Sequence, residues 1–294
     1  MFLISEMLKA MGDIPLIAAV NECAVAQLGL AGYGPLETYG TFLDNDKYLS
    51  QISSYVKVVI TTEALREVVQ REGYGVVVVP NPRNAFFKLH NFLCGNKEYV
   101  GERKKNVIGH GCKISPKAEI APFNVIIEDG VTIEEHVIVR ENTTIGANAI
   151  LRAGSVVGGQ DLEYKQEGDT IFHVLHVGGV QIGEHVDLSY GTIVGKAIYP
   201  WDATKIGAYT KVGGNVTVGH GAKIGKRNMI SSRNIVCGRC QIGDDVWLGP
   251  GAIISNGLMV GRKAHIGIGA VVIADVPEEK SVFGNPARTM IVRS

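Results

Sequence analysis

The chain has 294 residues, enough for two domains, and 46% of them are apolar, so a sizeable core can be buried. It carries 29 basic and 29 acidic residues, which removes any general electrostatic argument for nucleic acid or an anionic membrane. Gly is abundant at 37 residues and aromatics are sparse at 7%, a composition suited to a tightly wound coil and not to a disordered chain.

The first residues, MFLISEMLKAMGD, contain Glu6 and Asp13 and lack a secretory pattern. No apolar run approaches the roughly 18 residues of a membrane span. Five scattered cysteines (Cys23, Cys94, Cys112, Cys237 and Cys240) suggest free thiols in a reducing compartment, so a cytoplasmic protein is expected. Residues 1–100 read as a small α/β domain. Aliphatic runs at Pro15–Val20, Val56–Thr61 and Gly75–Pro80 predict strands. Thr62–Glu72 and Pro82–Leu93 predict helices, the first capped by Thr61 or Thr62 and the second opened by Pro82. A polar linker, Gly95–Asn106, follows.

From there to about residue 277 the pattern changes. An aliphatic residue recurs on every sixth position, without a slip from Ile206 to Val272. A period of six matches neither a helix nor a simple strand, and it marks a hexapeptide repeat wound into a parallel β-solenoid. Three hexapeptides make one triangular coil of 18 residues. The first residue of each unit fills the prism, the fifth points inward and must be small, and the residues between them turn the corner. Cys240 falls on a fifth position, so core packing is expected of it, not a metal or redox role. The frame breaks at 158–181 and 195–205. Such insertions must leave through corners, and both are candidate substrate loops. Residues 278–294 form a tail.

His220 takes the third, outward position of its unit. Gly238 and Asn256 follow at intervals of 18, on one ridge, with successive coils about 4.8 Å apart. An imidazole beside an unobstructed glycine N–H suits acyl transfer: the His takes a proton from the attacking group and the N–H holds the oxyanion.

Several segments resemble the UDP-3-O-acylglucosamine N-acyltransferase family of lipid A biosynthesis, over nearly the entire chain. Thr41–Tyr48 (TFLDNDKY) is similar to that family's F-x-x-N-P-x-Y segment, with Asp46 in place of Pro, and 79–83 (VPNPR) with Phe86 is similar to its NPR segment. Residues 218–225 (VGHGAKIG) resemble its I-A-H-N-x-x-I-G segment. The resemblance implies a uridine-binding α/β domain joined to a left-handed β-helix. It implies that Phe42 and Tyr48 sandwich the uracil, that Asn45 hydrogen-bonds it, that His220 is the general base and that Gly238 supplies the oxyanion N–H. The 158–181 loop would be a substrate loop, with His173 and His176 as sugar or phosphate contacts. It also implies a homotrimer with its active grooves between subunits.

Two departures stand out. The family's second His is missing, and the corresponding segment (254–258) reads ISNGL, with Asn256 on the ridge. The chain also has no room for the family's helices that engage acyl carrier protein. Its end, 281–288 (SVFGNPAR), instead resembles the close of hexapeptide acetyltransferases that use acetyl-CoA, which would place Arg262, Lys263 and Arg288 near the CoA phosphates. The expected reaction is N-acylation of a UDP-amino sugar from a thioester, acetyl-CoA slightly favoured over acyl carrier protein, with no tightly bound cofactor and no metal. Three alternatives stay open. One is the lipid A N-acyltransferase reaction itself, using acyl carrier protein. A second is a non-catalytic nucleotide-sugar binder. The third is a zinc enzyme, for which His110, His136, His185, His220 and His265 show no triplet of suitable spacing.

Overall fold

The computed structural model describes residues 1–289 and divides the chain into two units. The first comprises 1–102 together with 162–175 and 199–201, and the second 103–161, 176–198 and 202 onward.

The first unit is built on a five-stranded sheet of β1 (Ala18–Val20), β2 (Gln27–Leu28), β3 (Tyr39–Leu43), β4 (Val56–Thr61) and β5 (Gly75–Val78), in the order β1-β5-β4-β3-β2. Only the β1–β5 pairing is antiparallel. All of β5 and most of β4 are buried, as continuous Val and Ile runs in a parallel sheet should be. Its helices are α1 (Ile4–Met11), α2 (Arg66–Arg71), α3 (Pro82–Leu93) and α4 (Lys97–Val100). α3 begins where Pro82 predicts, because Asn81 accepts a hydrogen bond from the Asn84 amide at 3.1 Å and Pro82 sits in the first turn. The expected Thr cap on the preceding helix is not formed. Thr62 precedes a short 3₁₀ turn without a side-chain bond, and Thr61 instead donates its hydroxyl to the Leu43 carbonyl at 2.8 Å.

The second unit is a left-handed parallel β-helix whose strands stack into sheets of ten, eight and eight. Met229 pairs with Trp247 and Trp247 with His265, so each coil advances 18 residues. First-position residues Val212, Val218, Ile224 and onward are buried at 3% exposure or less and form one continuous apolar prism. Fifth-position Ala222, Cys240, Ala252, Ala264 and Ala270 pack beside them.

The corners are not confined to Gly, Asn and Asp, the residues that tolerate such turns best. The fourth residue of every unit from Tyr209 to Gly269 has positive φ, and Tyr209, Arg227, Arg233, Arg239 and Lys263 are among them. A non-glycine residue in that region costs about 1–2 kcal/mol. Coil stacking offsets the cost by giving each corner amide an acceptor one coil below, a carbonyl as in Arg227 N to Ala208 O at 3.0 Å and Arg239 N to His220 O at 2.8 Å, and at Gly221 the Thr204 hydroxyl at 2.8 Å.

Both insertions leave a closed coil, since Ile145 pairs with Ile182 and Leu188 with Val212. Within them, Tyr164–Glu167 and Thr170–His173 form an antiparallel hairpin that is part of the first unit. Tyr199 and Trp201 also belong to that unit. Tyr199 is buried against Phe86, His90 and Trp201, so 199–201 is not the free loop expected of an insertion. Coil pairing also continues past residue 277. Ser281–Phe283 adds a strand beside His265–Ile266, and Arg288–Thr289 folds back on it. Ile266 and Val282 are 16 residues apart and not 18, which is why the sequence frame loses this strand. The last five residues of the expected tail, 290–294, lie outside the described residues.

Candidate active site

The corner after Thr217–Val218 carries His220. The frame gives it an outward position, but it is not exposed to solvent: 6% of the residue is accessible. The cover comes from the first insertion. Asp161 reaches back so that its Oδ2 accepts the His220 backbone N–H at 2.7 Å and lies 3.0 Å from Nδ1. His176, fully buried, sets its ring edge-on to His220 with centroids 5.2 Å apart. The Gln160 side chain grips the His176 backbone from both sides, accepting its N–H at 2.9 Å and donating to its carbonyl at 3.0 Å.

A carboxylate can only accept, so Nδ1 carries the proton toward Asp161 and Nε2 is left with its lone pair. This is the tautomer a general base needs. A Cβ on Gly238 would meet His220 Cε1 and Nε2 at 2.7 Å and Asn256 Oδ1 at 3.0 Å. The ridge His220, Gly238, Asn256 therefore converges on one point, and glycine is demanded there by close approach, since Gly238 is not among the positive-φ residues. Cys237 borders the cluster, and burial, then the Asp161 charge, push its thiol pKa up. Asp161 went unnoticed in the sequence because it lies in a stretch without period, 59 residues from His220.

His173 is placed elsewhere. It sits on the hairpin of the first unit, its ring 4.8 Å from Tyr164 and its carbonyl accepting from Asn91 at 2.7 Å. The two loop histidines thus fall in different units.

Within the first unit, Phe42, Asn45 and Tyr48 line one pocket of about 700 Å³ with Tyr33, Asp44, Lys47 and Arg83. Phe42 leans on Phe86 and Phe87 at centroid distances of 5.0 and 5.8 Å, which fixes its ring. Asn45 is the cap of a 3₁₀ turn and accepts from the Lys47 amide at 3.0 Å, which leaves its amide group as a donor. Tyr48 is 40% exposed at the pocket wall, with the Lys47 ammonium 4.7 Å from its ring centre. Among the residues of this pocket, Tyr33 carries no sequence signal that would have marked it.

Arg262 and Lys263 share a corner, but both are engaged: Arg262 with Glu278 at 2.5 Å and Lys263 with Glu279 at 3.7 Å. Arg288 lies on the last described strand, and its guanidinium donates to the Ala287 carbonyl at 3.2 Å. Among the described residues, no group of three or more His, Cys, Asp or Glu is placed to hold a metal ion, and no helix is long and apolar enough to cross a membrane.

Comparison with known proteins finds short, high-identity matches. The chain is 49% identical over 53 residues to a chloramphenicol acetyltransferase of Agrobacterium fabrum, covering 18% of this chain and 25% of that protein. It is 38% identical over 48 residues to a galactoside O-acetyltransferase of Lactococcus lactis, covering 16% and 23%. The chain thus spans about a quarter of the length of the curated relatives it matches. Among solved structures, an Arabidopsis UDP-N-acetylglucosamine acyltransferase aligns with 63% of this chain and 70% of its own, at 20% identity and a TM-score of 0.46. One part of the β-helix, residues 124–159, matches a family model, that of the bacterial transferase hexapeptide (six repeats).

Proposed function

We propose that this protein is an acyltransferase that moves an acyl group from a thioester to the amine of a UDP-linked amino sugar. The observation that carries the reading is the Asp161 carboxylate 3.0 Å from His220 Nδ1, with the far side of the ring turned to Gly238. In this reading the sugar amine attacks the thioester carbonyl and a C–N bond forms. His220 Nε2 takes the proton the nitrogen sheds, and Asp161 stabilises the imidazolium. Negative charge collects on the carbonyl oxygen, where the Gly238 N–H is the candidate donor. As the intermediate collapses the C–S bond breaks, and the thiolate leaves with the proton held by His220. Asn256, at the same point of the ridge, contacts the acceptor.

The His220 ring is buried down to Nε2, so the amine reaches it only when the covering side chains, His176 among them, shift aside. The pocket of Phe42, Asn45 and Tyr48 is assigned to uridine, because two aromatic rings and an amide are what a pyrimidine requires. His173, half-buried on its hairpin, is kept as a sugar or phosphate contact. The donor is acetyl-CoA. The similarity to two acetyltransferases supports an acetyl group, and Arg288 is the cation better placed for a CoA phosphate. Arg262 and Lys263 can serve only by releasing Glu278 and Glu279. A homotrimer is supported by the column Ile193, Thr217, Ile235, Ile253 and Val271, which runs in register along one sheet, with Ile193 46% and Ile235 41% exposed.

The covered Nε2 also supports a second reading, a nucleotide-sugar binder without transfer. One experiment separates the two. Free thiol released from acetyl-CoA is measured with a panel of UDP-amino sugars, alongside UDP binding. Transfer that collapses in His220→Ala while UDP binding stays supports the enzyme. UDP binding with no thiol release from any sugar, whether the donor is acetyl-CoA or an acyl carrier protein thioester, supports the binder.

A further inference from the structure

The pocket of the first unit contains one group that base recognition does not use, the carboxylate of Asp44. Thr41 and Leu43 of β3 are buried on one side, and Phe42 between them lines the pocket on the other. Asp44, the residue that follows β3, lines the same pocket between Phe42 and Asn45 in sequence.

We infer that Asp44 is the specificity-determining residue of this pocket, accepting hydrogen bonds from the ribose hydroxyls of a bound nucleoside diphosphate and so selecting ribo- over 2′-deoxyribonucleotides. The inference rests on the uridine reading given above. A carboxylate can only accept hydrogen bonds. The carbonyls of a pyrimidine and the oxygens of a diphosphate would both repel it. Lys47 and Arg83 are the cations in the pocket and complement the diphosphate. The Asn45 side chain serves the edge of the base, its NH₂ donating and its Oδ1 offering the second lone pair that the Lys47 amide leaves open. The donors that remain on the ligand are the two ribose hydroxyls, which lie between base and phosphate as Asp44 lies among Phe42, Asn45 and Lys47. A pocket built this way takes uridine diphosphate sugars and discriminates against their deoxythymidine counterparts.

The test is calorimetric binding of UDP, 2′-deoxy-UDP and CDP to the full-length protein and to Asp44→Ala and Tyr48→Ala. Asp44 is exposed, so its loss leaves the fold in place. The wild type should bind UDP on the order of tenfold or more tighter than 2′-deoxy-UDP, the value of one hydrogen bond to a charged group. Asp44→Ala should bind both equally and at the weaker affinity, while Tyr48→Ala should lose both ligands in proportion. Equal binding of UDP and 2′-deoxy-UDP by the wild type overturns the inference and leaves the nucleotide reading intact. Preference for CDP over UDP that vanishes in Asp44→Ala also overturns it, by placing the carboxylate at the base. Binding of none of the three overturns the nucleotide reading itself.

Discussion

Replacing Asp161 by Asn is the most direct test of the proposed chemistry. The carboxylate makes two contacts to His220 through one oxygen, at 2.7 Å to the backbone N–H and 3.0 Å to Nδ1. Asparagine keeps the shape, but only one end of its amide can take the place of that oxygen. With the carbonyl there, both contacts persist but the negative charge that stabilises the imidazolium is gone; with the NH₂ there, the backbone contact is lost and Nδ1 meets a donor, so the ring proton moves to Nε2 and the nitrogen facing Gly238 can no longer accept. Loss of the correct tautomer is worth on the order of 10³–10⁴ in kcat, or about 4–5.5 kcal/mol of barrier. The cost in stability is smaller, about 1–2 kcal/mol for one charge-assisted bond weakened at a partly exposed carboxylate. The assay is thiol release from acetyl-CoA with a UDP-amino sugar, with UDP binding and thermal unfolding measured on the same protein. The expected result is a collapse of kcat with UDP affinity unchanged. A variant retaining kcat within about threefold of wild type would show that the Asp161–His220 contact does not set the protonation of the base. A variant that loses UDP binding in parallel would show that the damage is general.

Three further outcomes follow from the same structure. Gly238→Ala places a methyl 2.7 Å from the His220 ring, so the ring must shift by several tenths of an ångström; about 1–3 kcal/mol of stability and most of the transfer activity should go, read by melting temperature and thiol release. His90 is buried among Tyr99, Tyr199 and the Leu175 carbonyl, and burial lowers its pKa to about 4 from an ordinary 6.5. The unfolded chain therefore binds the proton first as pH falls. The stability contributed is whole above about pH 6.5 and is lost progressively toward pH 4, up to about 3 kcal/mol, which denaturant titrations at pH 7.5 and pH 4.5 should report and His90→Gln should reduce. Finally, Cys237 has its thiol pKa raised by burial and by Asp161, so Ellman's reagent at pH 8 should modify exposed Cys23 first, and Asp161→Asn should accelerate modification of Cys237.

Most of the β-helix was legible in the order of residues alone. A side chain that must fill a triangular prism recurs at every sixth place, so Val212 through Val272 declare their burial, and the outward ridge of His220, Gly238 and Asn256 follows by counting 18. The corners were legible only in outline. Arg227, Arg239 and Lys263 adopt backbone angles their side chains disfavour, because hydrogen bonds from the adjacent coil hold them there, and nothing local announces that. What folding alone decided is the surroundings of the imidazole. Asp161 and His176 come from a segment with no repeat, so no periodicity could bring them to His220, and together with the coil they bury a ring whose place in the frame implied an open surface. The pocket of the first unit divides the same way. The run from Phe42 to Tyr48 and the segment ending at Arg83 mark themselves by their residue types, whereas Tyr33, in the connection between β2 and β3, joins the pocket only through the fold.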